Sequence, residues 1–91
     1  MDIFTKYQAE VWDYDVDFSR SLPDGDTLLS ATVAVAPVEN MVSCARYDVQ
    51  TVIVKVWLND GLPGSTATVT VIAVTAQGRT GEEQFKIRVR G

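Results

Sequence analysis

Ala67-Thr-Val-Thr-Val-Ile-Ala-Val-Thr75 runs into Ala-Gln-Gly-Arg79 and returns through Thr80-Gly-Glu-Glu-Gln-Phe85-Lys-Ile-Arg-Val89. On the outward run Ala67, Val69, Val71 and Ala73 recur at every second position; on the return Phe85, Ile87 and Val89 do the same. A pleated strand returns to the same face every two residues, so each run reads as a strand with one buried side. Between them Gln77-Gly-Arg-Thr-Gly-Glu82 supplies the glycines of a hairpin loop. Ile72 and Val74 make the second face of the outward strand apolar as well. That pattern predicts a central strand covered on both sides.

The same period extends outward from this hairpin. Val52, Val54, Val56 and Leu58 alternate with Ile53 and Trp57 on the opposite face. The next segment, Asn59-Asp-Gly-Leu-Pro-Gly-Ser65, is a loop whose Pro63-Gly64 step suits a type II turn. Further upstream, Leu29, Ala31, Val33 and Val35 form an inward face that ends at Pro37. Trp12, Tyr14, Val16 and Phe18 alternate with Asp13, Asp15 and Asp17, giving one apolar and one acidic face. Ser21-Leu-Pro-Asp-Gly-Asp26 reads as a turn, because Pro23 presets φ and Asp24-Gly25 tolerates a left-handed step. Residues 41–48 are the least regular and read as a short strand.

Six to seven short strands with no helical period predict an all-β sandwich or small barrel. The sandwich is preferred, since the closing hairpin resembles the F–G hairpin of immunoglobulin-like and fibronectin-type modules. The expected organisation is an immunoglobulin-like/fibronectin-type β-sandwich over residues 11–91, preceded by an N-terminal arm over residues 1–10. In such folds the first strand often runs beside the last. That placement would set the Asp13/Asp15/Asp17 face beside Lys86, Arg88 and Arg90, where cross-strand pairs help to fix register.

Composition narrows the function classes. Ninety-one residues fit one domain, and 46% hydrophobic with 22% charged residues is ordinary for a globular protein. Net charge is −4, and seven of the twelve acids fall within the first 26 residues. An acidic balance disfavours nucleic acid and anionic membranes, which need a basic footprint. The N-terminus has no apolar signal-peptide core, and no apolar run approaches membrane-spanning length. With one cysteine, Cys44, no intrachain disulfide can form. A domain this small then depends on its own packing or on partner subunits.

The inventory for chemistry is thin. There is no histidine, which removes the commonest general base, the commonest transition-metal ligand and any Ser-His or Cys-His nucleophile. Gly78-Arg-Thr-Gly81 lacks the spacing of a phosphate-binding loop. Asp13-x-Asp15-x-Asp17 has the spacing that opens a calcium loop, but a strand holds such carboxylates about 7 Å apart along one face instead of converging them. A solvated acidic face is favoured over a metal site. Asp24 and Asp26 flank Gly25 and are better placed as loop ligands, yet turn chemistry explains them more simply. Cys44 reads as a small, half-buried core residue in preference to a reactive thiol. Trp12 and Trp57 sit inside strand patterns and read as core or interface in preference to sugar-stacking platforms. The chain is expected to have no catalytic residue, cofactor or metal and to be no enzyme. Phe4, Tyr7 and Trp57 are its candidate interface residues.

Two stretches carry a family resemblance. One is Asp13-Tyr-Asp-Val-Asp-Phe-Ser19 followed by Gly25-Asp-Thr-Leu-Leu-Ser-Ala-Thr32. The other combines Val56-Trp-Leu-Asn-Asp-Gly-Leu-Pro-Gly64, Val69-Thr70, Thr75-Ala-Gln-Gly-Arg-Thr80 and Phe85-Lys-Ile-Arg-Val89. Together they resemble small immunoglobulin-like virion proteins of tailed double-stranded DNA bacteriophages, of the tail-fibre adaptor type. The resemblance implies a structural protein made in the bacterial cytoplasm and assembled into the virion. Its partners would be fibre, tail or capsid subunits, met in several symmetry-related copies, with no nucleic acid and no membrane. An adaptor joining fibres or spikes to the tail or head–tail junction is the leading expectation. A capsid decoration protein and an immunoglobulin-like module binding cell-surface glycan are the alternatives, the last predicting a tryptophan exposed in a shallow groove.

Overall fold

A computed structural model describes residues 2–22 and 25–91. The expected turn residues Pro23 and Asp24 lie outside the described residues. Seven strands follow in order: β1 (Asp2–Tyr7), β2 (Trp12–Asp17), β3 (Leu28–Ala36), β4 (Val42–Val49), β5 (Ile53–Asp60), β6 (Thr66–Thr75) and β7 (Thr80–Arg90). One sheet is ordered β1-β7-β6-β3 and the other β2-β5-β4. Every pairing is antiparallel except β1 with β7. The two sheets match the opposed B-E-D and C-F-G sheets of an immunoglobulin-like sandwich, with β1 added beside the last strand.

The core lies where the alternation is cleanest. Val54, Val56 and Leu58 of β5 face Ala67, Val69, Val71 and Ala73 of β6 and Ile87 and Val89 of β7, all fully covered. Burying each branched side chain contributes roughly 1.5–3 kcal/mol. The segment 42–49, weakly patterned in sequence, is strand β4, carried by its register with β5.

Four elements differ from the sequence expectation, each for a physical reason. In β3 a bulge between Leu28 and Ser30 shifts the parity, so Leu28 enters the core and Leu29 points to solvent at 68% exposure. Strand β6 is central in its sheet, but the described residues form only two layers, so Ile72 and Val74 lie on an outer face, 38% and 36% exposed. The strand beside β7 is β1, while β2 pairs with β5 in the other sheet, so Asp13, Asp15 and Asp17 do not meet Lys86, Arg88 and Arg90. Their cation is Lys55, whose Nζ lies 3.5 Å from Asp13 and 3.7 Å from Asp15. Finally, residues 2–7, expected within an arm, form β1, in register from Asp2 opposite Phe85 to Tyr7 opposite Arg90. Parallel pairing satisfies a backbone edge that β7 would otherwise expose.

Candidate functional site

Because each strand reverses the chain, successive connections fall at opposite ends of a sandwich 43 Å long and 19 × 18 Å across. The β1–β2, β3–β4 and β5–β6 connections share one end with the C-terminus of β7. That tip carries Tyr7, Val11, Trp12, Val38, Met41 and Leu62, six of the molecule's exposed large apolar side chains. Val38 is 84% exposed and Met41 63%. Single exposed apolar residues are commonplace, but their convergence on one end makes that end a candidate contact surface.

The tip is braced from beneath. Lys6 is fully buried, and its ammonium donates to the carbonyls of Tyr7 (2.9 Å), Gln8 (3.3 Å) and Asp60 (2.7 Å). Burial lowers the pKa of Lys6, against an opposing pull from Glu10 and Asp60. One side chain thus ties the β1–β2 connection to the end of β5. The chain turns there through Asp60 (φ 58°) and buried Gly61 (φ 122°). A Cβ on Gly61 would come within 2.8 Å of Val89, so only glycine fits. The β3–β4 and β5–β6 connections are joined where the Leu62 N–H donates to the Asn40 carbonyl at 2.8 Å. Asn40 Nδ2 donates in turn to the Thr66 carbonyl. The Tyr7 N–H donates to the Glu10 carboxylate at 2.8 Å. A surface held this way loses little further freedom on binding.

The three interface residues singled out from sequence are not brought together. Tyr7 belongs to the tip and is 56% exposed. Phe4 turns toward the sandwich, its ring 5.3 Å from Tyr14 and 5.6 Å from Phe85 between centroids. Trp57 lies on the outer face of β5 beneath Arg46, whose guanidinium sits 3.9 Å from the indole centroid. That stack covers the ring and contributes about 0.5–1 kcal/mol. Val38, Met41 and Leu62 gained no place in the sequence reading as interface residues, and Trp12 was read there only as core or interface. The available signal was strand counting, since every second connection must fall at the same end. Cys44 is half-buried against the core, its thiol donates to the Arg46 carbonyl at 3.3 Å, and burial pushes its thiol pKa up against a smaller opposing pull from the Arg46 backbone. It stays protonated and unreactive.

The opposite end is polar and built on Asp26. Its carboxylate accepts from the N–H groups of Thr27 (3.0 Å) and Gln77 (3.2 Å) and from Arg79 Nη1 (3.1 Å), with the Thr75 hydroxyl as a further partner. Burial works to raise its pKa, but the donors together prevail and hold it below the ordinary aspartate value. The group binds its proton less readily folded than unfolded. Its stabilisation is therefore full above the unfolded aspartate pKa of about 3.9 and is lost as pH falls through the folded value. Thermal melts should show Tm declining below about pH 4. In Asp26→Asn the plateau Tm should fall and that acid limb flatten. An unchanged limb would assign the acid sensitivity elsewhere.

This tip-and-hub arrangement offers surfaces for contact, and the described residues converge on no nucleophile–base pair. No curated protein matches the chain. A family model described as podophage GP4 fiber-tail adaptor protein gp77 matches residues 6–88, from within β1 to within β7. The match covers both sheets and the braced tip, and the chain belongs to this family of podophage fiber-tail adaptors.

Proposed function

We propose that the protein acts without catalysis, joining a fibre or spike to the tail or head–tail junction through its apolar tip, in several symmetry-related copies. The observation that carries this reading is the convergence of Trp12, Val38, Met41 and Leu62 on one braced end. An elongated module with a rigid apolar end suits end-on insertion between two larger structures. One tip of 19 × 18 Å is smaller than a standard protein interface of about 800 Å² per partner. Closed symmetry supplies the rest, because a ring of copies multiplies a small contact.

The test is the location of the chain. Particles are purified, heads are separated from tails, and the chain is quantified in each fraction by mass spectrometry. Enrichment with tails and fibres at a few dozen copies or fewer, roughly what closed rings supply, is the expected result. Hundreds of copies on empty capsids would instead identify a decoration protein. Absence from every fraction would remove both readings.

A further inference from the structure

Strand β7 is longer than the strand that covers it. It runs from Thr80 to Arg90, whereas β1 pairs only with Phe85–Arg90. The stretch Thr80–Glu83 pairs with β6 on one side and, among the described residues, with no strand on the other. A strand turns the N–H and C=O of alternate residues to each side, so this edge offers unpaired donors and acceptors in line. Of the other edges, β1 and β2 are only six residues long. β3 carries the Leu28/Ser30 bulge and β4 a second one between Cys44 and Arg46. The β6–β7 register is unbroken.

Beside the open edge lies a cleft of about 450 Å³ between the two sheets. Its apolar lining is Phe4, Val16 and Phe85. Its carboxylates are Asp15, Asp17 and Glu83, against the single guanidinium of Arg20. Lys55 reaches Asp15 from the outer face and Arg20 acts on Asp17, so the lining keeps one net negative charge, with Glu83 without a cation partner among the described residues.

We propose that this edge takes up an extended segment of a partner virion protein as an added strand, with Lys or Arg two positions before and after an apolar residue. Backbone pairing with Thr80–Glu83 supplies the direction and register, and the cleft supplies selection. The apolar residue covers Phe4 and Phe85, while the basic residues, each two positions from it and so on the same face, reach Asp17 and Glu83. The added strand continues the line of β1, which enters the same sheet edge at Asp2 opposite Phe85. This deepens the adaptor reading by giving one partner its chemistry, and it uses a surface separate from the tip.

The experiment uses the full chain and short overlapping peptides that cover the particle's tail and fibre proteins, read by amide NMR. A peptide with the alternating basic pattern should perturb the amides of residues 80–85 and slow their hydrogen exchange. Its affinity should fall about tenfold or more in Glu83→Lys combined with Asp17→Lys, and also at high salt on the wild-type chain. The salt arm keeps the test valid should the double variant disturb the turn in which the Ser19 N–H donates to the Asp17 carboxylate at 2.8 Å. Three outcomes would overturn the proposal: peptides that move only tip residues, binding indifferent to charge and salt, or no peptide bound. Self-association through residues 80–85 would overturn it too, by making a second copy the occupant. Particle fractionation reports separately on the adaptor reading, so the two can fail independently.

Discussion

Phe18→Ala should lower the stability of the domain by about 3–5 kcal/mol, the range for truncating a fully buried phenylalanine. Phe18 is 1% exposed and closes the polar end of the core just past the last residue of β2. Its ring lies 3.6 Å from the position a Cβ on Gly81 would occupy, so the ring takes the space that glycine leaves open. The backbone there is pinned independently: the Phe18 N–H donates to the Val52 carbonyl at 2.8 Å and the Phe18 carbonyl accepts from the Ser21 N–H at 2.9 Å. With those bonds in place the surroundings cannot collapse, and the void persists. A chain of 91 residues has a total stability on the order of 5–14 kcal/mol, so the variant should keep its fold with much of that margin gone. The drop in Tm should be about 15–30 °C, with Phe18→Leu recovering most of it. Phe4→Ala, at a ring 36% exposed, should cost clearly less. A loss under about 1 kcal/mol for Phe18→Ala would mean that this end of the core is not closed as described.

Phe18 was legible in sequence because it ends an unbroken alternation, and the same holds for Val54, Val56 and Leu58 and for Phe85, Ile87 and Val89. Where one residue breaks the period, sequence reading fails. Leu28-Leu29 offers two leucines for one inward place, and only the bulge in the β3–β6 register decides between them. Ile72 and Val74 illustrate a different limit, since an apolar outer face looks the same whether or not a third layer covers it. Strand β1 was hidden by its own composition. Ile3 and Phe4 are adjacent apolar residues, and an inward position is held by Lys6. A buried ammonium is tolerable only with its hydrogen bonds satisfied, and one acceptor, the Asp60 carbonyl, is 54 residues away. The tip was hidden for a related reason. Its residues come from three connections and two strand ends, and none forms a pattern with its own neighbours.

Aspartate at the tip should separate folding from assembly. In Trp12→Asp combined with Met41→Asp the chain should melt within a few degrees of wild type, because exposed positions contribute within about 0.5 kcal/mol. Met41 already holds a left-handed φ of 60°, a conformation aspartate adopts more readily than methionine. Incorporation into particles should fall about thirtyfold or more. Tryptophan at the centre of a contact carries upward of 2 kcal/mol, and 1.4 kcal/mol is a factor of ten. A desolvated carboxylate adds to that loss. Leu29→Asp is the matched control: Leu29 is as exposed as Met41 but begins β3 at the far end of the sandwich. It should melt and incorporate like wild type. The comparison is informative in every direction. Loss with Leu29→Asp alone would move the contact to the polar end. Indifference of both variants would leave the long sides of the sandwich, and the open edge of β7 among them, to carry the attachment. Loss with the tip variant alone would mean that this end is inserted into the particle, leaving the lateral edge free for a second partner. An adaptor needs two such surfaces, which on this proposal are the apolar end of the sandwich and the open edge of β7 along its side.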